Sequence, residues 1–235
     1  MNTTEKTLGI IGGVGPLATA LFLERIVRNT KAATDQEHLD VILYNIPRIP
    51  DRTSFILGSS DQSPLPVLTD YAKKLEEAKV DVIAIPCVTF SYFFDALQKQ
   101  LSIPLMHPIR ETVKALSAHN VYKVGILATS GTLYTNLFQE ELARHKIAWF
   151  APNRDTQAEI MDMIYAGVKA GVHVPAQRLQ QAAAHFFQEG CDAVILGCTE
   201  LSIIKNHGSF DPRYFDVLEI LARSSIEACG RMLVQ

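Results

Sequence analysis

Two short stretches of this 235-residue chain follow one plan. Residues 81–89 read Asp-Val-Ile-Ala-Ile-Pro-Cys-Val-Thr and residues 192–200 read Asp-Ala-Val-Ile-Leu-Gly-Cys-Thr-Glu, so Asp81 aligns with Asp192 and Cys87 with Cys198 at one constant offset. In each, an acid opens an apolar run that closes in Pro or Gly and then cysteine. Such runs, with no polar residue between, suit strands buried on both faces of a parallel sheet. The polar end of each run then falls at the carboxyl edge, where open α/β sheets keep their binding crevice. Both copies place a thiol and a hydroxyl there, which points to a two-sided site.

The surrounding pattern is also duplicated. Residues 7–11 form a short apolar strand, followed by Gly12-Gly13-Val14-Gly15-Pro16 and an amphipathic helix over 17–31, with Pro16 placed for its first turn. At Tyr122 the pattern restarts: residues 123–129 resemble residues 6–12, and Ser130-Gly131-Thr132 makes the turn before a helix from about residue 134. The expected fold class is α/β, with two pseudo-symmetric three-layer α/β lobes, mainly parallel sheets and the active site in the cleft between them. The N-terminal lobe is expected over 1–117 and the C-terminal lobe over 118–215, with a helix in 216–235 packing back on the first. Further strands are predicted at 41–44, 103–106 and 148–150. Helices are predicted over 68–79, 91–101, 109–119, 155–171, 174–189 and 217–233. The Ser-, Gly- and Pro-rich segment 57–65 reads as a mobile flap over the crevice.

Composition narrows the function. With 48% hydrophobic and 20% charged residues the chain has ample material for a core, and a net charge of −3 without any Lys/Arg run predicts no nucleic-acid partner. The apolar stretch 8–23 is broken by glycines and Pro16 and lacks a basic flank, so it reads as strand and helix rather than signal peptide. No stretch is long enough to span a membrane. A cytoplasmic protein is expected, with Cys87, Cys191, Cys198 and Cys229 as free thiols. No Cys-x-x-Cys or paired histidine spacing is present, and no metal is expected. The piece Gly13-x-Gly15-x-x-Ala18 meets the loose dinucleotide fingerprint, but the second strand runs into Asn45 rather than an acid, which weighs against a nicotinamide cofactor. The same loop serves equally as a tight turn or as a donor of backbone N–H groups to a carboxylate.

Thiols facing each other across one carbon suit proton transfer at its opposite faces. One thiolate removes an α-proton while the other thiol delivers a proton from behind, and the roles exchange in reverse. A thiol pKa near ~8.5 needs only a modest downward shift for this work, and two adjacent thiols titrate as a coupled pair. The sequence carries no pyridoxal-phosphate signature, so no cofactor is expected. Donors must then hold the charge of the deprotonated substrate. Candidates are the backbone N–H groups at Val14 and beyond Cys87, and the hydroxyls of Thr89, Thr129, Ser130, Thr132 and Thr199. Glu200 can hold a substrate ammonium, tune Cys198, or simply cap the helix that follows. The duplication assigns function to Cys87 and Cys198 and leaves Cys191 and Cys229 as core residues. Taken alone, Arg52 beside Asp51, and Lys169, read as surface charges.

With these motifs together, the chain resembles the aspartate/glutamate racemase family of cofactor-independent amino-acid racemases over nearly its whole length. The residues that carry the resemblance are Gly12-Gly13-Val14-Gly15-Pro16-Leu17-Ala18-Thr19, Ile49-Pro50-Asp51-Arg52-Thr53, Leu127-Ala128-Thr129-Ser130-Gly131-Thr132, Ile164-Tyr165-Ala166-Gly167-Val168-Lys169 and Gly197-Cys198-Thr199-Glu200. The resemblance implies two-base chemistry by Cys87 and Cys198 on a small amino acid, aspartate ahead of glutamate, in a homodimer. It also implies that Arg52 and Lys169 grip the substrate's side-chain carboxylate. One departure stands out: the family's Pro-Cys-Asn-Thr, often followed by Ala-His, is here Pro86-Cys87-Val88-Thr89-Phe90-Ser91. Val88 lacks an amide able to bond the substrate's charged groups, a loss of about 1.5–3 kcal/mol, or tenfold to a hundredfold. That leaves a slower aspartate racemase, a racemase of altered substrate specificity, or a non-catalytic amino-acid-binding module. A related α-carbon lyase or isomerase is the other enzyme reading.

Overall fold

The computed structural model describes residues 6–234. The first half runs β1 (Leu8–Gly12), α1 (Pro16–Asn29), β2 (Val41–Asn45), α2 (Arg52–Ile56), α3 (Leu65–Glu77), β3 (Val82–Ala84), α4 (Phe94–Gln98) and α5 (Pro108–Ala118). The second runs β4 (Lys123–Ala128), α6 (Ser130–Tyr134), α7 (Leu137–Arg144), β5 (Ala148–Phe150), α8 (Arg154–Asp162), α9 (Ala176–Gln188), β6 (Ala193–Gly197), α10 (Thr199–Asn206), β7 (Tyr214–Asp216) and α11 (Val217–Ala228). The strands form two sheets, ordered β2-β1-β3 and β5-β4-β6-β7, and every pairing is parallel. β1, β3 and β6 are buried at every position, the physical reason their sequences contain no polar residue.

The acids that open the duplicated stretches have a shared job. Asp81 accepts from the Thr7 N–H at 2.8 Å, and Asp192 accepts from the N–H groups of Tyr122 and Lys123, both at 2.9 Å. Each therefore ties its cysteine-bearing strand to the start of the partner strand, β1 or β4, and sets where the carboxyl ends fall. At those ends the first glycine loop makes close approaches. Gly13 has φ +85°, and a Cβ there would lie 2.3 Å from the Ile46 backbone; Gly15 has φ +122°, and a Cβ would lie 2.6 Å from Glu200 Oε1. The loop thus touches both the loop after β2 and the opposite lobe, and only glycine allows it.

α11 lies against α1 and α5. Asp216, buried at its N-terminus, accepts from the Leu218 N–H and Ser202 Oγ and pairs with Arg25 of α1 at 2.8 Å. Breaking such a pair strands a buried charge.

Several local expectations are corrected. The helix predicted over 91–101 is a 3₁₀ turn (Thr89–Phe93) followed by the short α4, because Phe90, Phe93 and Phe94 all point inward and three residues per turn aligns 90 with 93. The strand at 103–106 shrinks to one bridge, Ile83 to Leu105, since Pro104 has no N–H to extend the ladder. The helix over 155–171 ends at Asp162 and continues as a π turn (Met163–Gly167) and a 3₁₀ turn (Val168–Ala170). Residues 130–132 belong to α6, capped by the Thr129 hydroxyl, which accepts from the Thr132 N–H. The expected flap at 57–65 is pinned to α2 by Ser59 and Ser60, whose N–H groups donate to the Ser54 carbonyl, and none of its residues lines the site below.

Candidate active site

Cys198 follows β6 directly and Cys87 lies three residues beyond β3, so the two sheets deliver both thiols to the cleft between them. Each cysteine is 6% exposed. They line one internal cavity together with Val14, Arg52, Val88, Thr89, Thr129, Lys169, Thr199 and Glu200. Two expected residues stand outside it. Thr132 backs the wall, bonded to Thr89 at 2.9 Å and Thr129 at 3.0 Å. Ser130 is a correction: its hydroxyl accepts from Gln157 at 3.1 Å and its N–H faces the Met161 sulfur, so it is turned toward α8.

Three lining residues escaped the sequence reasoning: Asp51, Thr53 and Tyr165. Their signal was proximity to residues already chosen. Asp51 and Thr53 flank Arg52, and Tyr165 precedes Lys169 by four residues, which puts both on one helical face. Asp51 caps α2 by accepting from the Ser54 N–H at 2.8 Å, and its carboxylate also receives the Tyr165 hydroxyl and the Lys169 ammonium, each at 3.2 Å. Lys169 additionally sits 4.2 Å over the Tyr165 ring. These bonds join the second loop to the segment after α8 across the mouth of the site.

The two thiols have unlike neighbours. Cys198 donates to Glu200 Oε2 at 2.9 Å, and Thr199 donates to the same oxygen at 3.3 Å. Burial first, and then the Glu200 charge, push the Cys198 pKa well above the ordinary thiol value, so this cysteine holds its proton. On the other side, Arg52 donates to the carbonyls of Pro50 and Val14, both at 3.1 Å. Burial opposes its charge, but negative charge at Cys87, then at Asp51 and Glu200, outweighs burial and raises its pKa. Lys169 is likewise held as the ammonium: burial works against it, and Glu200, Tyr165 and Asp51 prevail over burial and the repulsion of Arg52. The hydroxyls of Thr89, Thr129 and Thr132 form a triangle with edges of 2.9–3.1 Å, and Thr53 joins it at 3.3 Å.

Two polar atoms in this wall have no protein partner: Arg52 Nε and Glu200 Oε1. Such buried orphans are uncommon in native proteins. One is a donor and the other an acceptor, the complement of a carboxylate and an ammonium. Among the described residues no group of three or more His, Cys, Asp or Glu side chains is arranged to hold a metal ion.

The inner cavity holds about 10 Å³, while an outer cleft of about 470 Å³ shares Asp51, Arg52, Lys169 and Glu200 with it. A charged rim thus stands between the thiols and solvent.

Two parallel α/β lobes with a buried thiol from each and a carboxylate-and-ammonium complement between them define a class of α-carbon isomerases. The family model for Asp/Glu/Hydantoin racemase matches residues 11–224, and this chain belongs to that family: it is an isomerase, an amino-acid racemase. It is 26% identical over 224 residues to the broad specificity amino-acid racemase RacX of Bacillus subtilis, covering 93% of this chain and 96% of that protein. Among solved structures it is similar to Picrophilus torridus aspartate racemase, with TM-score 0.84, 26% identity and 97% and 96% of the two chains covered. An aspartate racemase homologue from Pyrococcus horikoshii shares the fold at TM-score 0.75 and 24% identity, over 96% and 99% of the chains.

Proposed function

We propose that this chain interconverts amino-acid enantiomers without a cofactor, by proton transfer between Cys87 and Cys198. The observation that carries this reading is the placement of both thiols on one cavity in whose wall, among the described residues, Arg52 Nε and Glu200 Oε1 are buried without a protein partner. In the substrate-bound state Arg52 receives the α-carboxylate and Glu200 the α-ammonium with the α-carbon between the sulfurs, and the rim must part to admit it, since the inner cavity of about 10 Å³ has room for one water. With Cys87 as thiolate, its sulfur takes the α-proton and the C–H electron pair moves toward the carboxylate, where Arg52 and the threonine hydroxyls hold the charge. The Cys198 thiol then gives its proton to the opposite face. The result is the other enantiomer, a Cys87 thiol and a Cys198 thiolate. That thiolate lies beside Glu200, with Lys169 as its counter-charge.

Aspartate is the substrate for which the structural relative from Picrophilus torridus is named, and with Arg52 on the α-carboxylate, Lys169 is the cation of the cavity left to meet its side-chain carboxylate. The relative from Bacillus subtilis is named for broad specificity. A homodimer is the assembly that the family resemblance implies, and the cytoplasm is the place expected from the sequence reading of the apolar stretch 8–23 as strand and helix.

The experiment is α-proton exchange in heavy water, followed by NMR on purified protein with no added cofactor and with each enantiomer of aspartate. Exchange is expected, together with net racemisation that disappears in Cys87→Ser and in Cys198→Ser. Turnover unaffected in both variants would sink the reading.

A further inference from the structure

Past the rim of Asp51, Arg52, Lys169 and Glu200, the walls of the 470 Å³ cleft are mostly apolar: Pro16, Leu17, Pro47, Ile49, Val168 and Ile203. A second groove of about 210 Å³ continues from it, sharing Leu17, Val168 and Ile203 and adding Val172 and Val174. Leu17 and Val172 are each 57% exposed. Both halves of the chain contribute, α1 and the loop after β2 from one side, α10 and the turn after α8 from the other. A concave space of this size, apolar with a few convergent charges at its inner end, has the anatomy of a small-molecule site. An aspartate bound between the thiols would leave most of it unfilled.

Charge balance at the rim points the same way. Arg52 and Lys169 oppose Asp51 and Glu200, so the four cancel before any substrate arrives, and Lys169 already holds Asp51 at 3.2 Å. Once one cysteine is a thiolate the site carries a single net negative charge. A zwitterionic amino acid with an uncharged side chain adds none, whereas an acidic side chain adds another where burial makes unpaired charge costly.

We propose that the cleft receives the side chain of an apolar amino acid, so that the substrates include residues with leucine-, methionine- or phenylalanine-sized side chains, and that Leu17, Val168 and Ile203 determine this specificity. The inference rests on the racemase reading above. Each methylene accommodated in a hydrophobic pocket discriminates between substrates by about tenfold to 200-fold. The side chain leaves the inner cavity between Lys169 and Glu200, which contact both spaces.

The test measures α-proton exchange with leucine, methionine, phenylalanine and aspartate, both enantiomers of each, on the wild-type chain and on Ile203→Trp and Leu17→Gln. Exchange with the apolar amino acids is expected. Ile203→Trp, which fills the cleft, is expected to lower the leucine-to-aspartate ratio of kcat/KM by about tenfold or more. Leu17→Gln is expected to move the ratio in the same direction. Because Leu17 is exposed, that variant keeps the test independent of any folding defect at the buried Ile203. Exchange with aspartate alone, or a ratio that neither variant moves, overturns this proposal and leaves the racemase reading standing. No exchange with any of the four overturns both.

Discussion

Cys87 and Cys198 end equivalent stretches of buried parallel strand and are equally shielded, yet the charges beside them have opposite sign. Two residues past Cys87 the duplicated plan has Thr89, whose hydroxyl joins an uncharged triangle with Thr129 and Thr132. Two residues past Cys198 it has Glu200, whose carboxylate accepts the thiol proton. Arg52 faces the first thiol. The duplication thus preserves the thiol and diverges at the position that sets its charge environment. Chemically, a two-base enzyme starts each turnover with one base and one acid, and unlike neighbours assign those roles in the resting state. In the proposed mechanism Cys198 is the acid at rest.

The largest test of this comparison separates the two thiols. Cys87→Ser and Cys198→Ser are each expected to reduce racemisation by about 10²- to 10⁴-fold, the usual contribution of a positioned acid or base. A lone remaining thiol can still remove and return a proton on its own face. Each variant is therefore expected to retain α-proton exchange with one enantiomer, and the retained enantiomer is expected to differ between them. Loss of the same enantiomer in both, seen by NMR in heavy water, would break the two-sided assignment.

Glu200→Gln addresses the difference in charge. Losing an ionic bond to the substrate ammonium costs about 1.5–3 kcal/mol, which appears as a tenfold to hundredfold fall in kcat/KM. The pH profile separates this from mere loss of structure. Burial and the Glu200 charge both raise the Cys198 pKa, so the direction that uses Cys198 as base gains rate as pH rises. Removing the like charge moves that rising limb to lower pH, and the opposite direction, which uses Cys87 as base, is expected to shift less. Profiles measured from both enantiomers check this, and equal shifts in both would erase the distinction between the thiols.

Much of this arrangement was legible before the structure. The aligned acids predicted the aligned cysteines, and Asp81 and Asp192 do equivalent work at the edges of their sheets. Parallel strands buried on both faces leave an unmistakable apolar run. What stayed hidden was which charge meets which. Lys169 is set apart from an ordinary helical lysine only by the family resemblance, and that gave no sign of Asp51, which the fold brings to it from 118 positions away. Ser130 sits in a turn that should point at the site, and only the packing of α8 turns its hydroxyl to Gln157. The flap at 57–65 was inferred from composition, which cannot register that the carbonyls of Thr53, Ser54 and Phe55 bond it back to α2 and that none of its residues lines the cavity. Hydrophobic periodicity reports which side of an element faces the core, and polar pairing across lobes has no period.

Val88 offers a gain-of-function test on the Cys87 side. It is 2% exposed and lines the cavity next to Cys87, where an amide would add a donor and an acceptor. Val88→Asn is expected to raise kcat/KM for aspartate by about tenfold, corresponding to about 1.5 kcal/mol from a hydrogen bond to a charged group. Steady-state kinetics check it. A decrease would mean that the apolar wall at residue 88 is part of how this pocket binds its substrate.

The smallest expected effect lies in the bonds that close the mouth of the site. Tyr165→Phe removes one hydroxyl donor from Asp51 and keeps the ring beneath Lys169. At 3.2 Å in the half-buried mouth this bond is expected to contribute about 1 kcal/mol, so the melting temperature of a chain this size should fall by about 2–4 °C. The pH dependence of that loss identifies the partner. Burial raises the Asp51 pKa, but the Ser54 N–H, Lys169 and Arg52 more than offset it and hold the carboxyl below its ordinary value of 3.8. A depressed folded pKa contributes stability that is present above the unfolded value and lost as pH falls through the folded one. Because the Tyr165 hydroxyl donates to the ionised carboxylate, the difference between wild type and Tyr165→Phe should be full at neutral pH and shrink as Asp51 takes up its proton, below about pH 4. Thermal melts at both pH values measure it, and a difference unchanged in acid would mean that the Tyr165 hydroxyl stabilises the fold through something other than the Asp51 carboxylate.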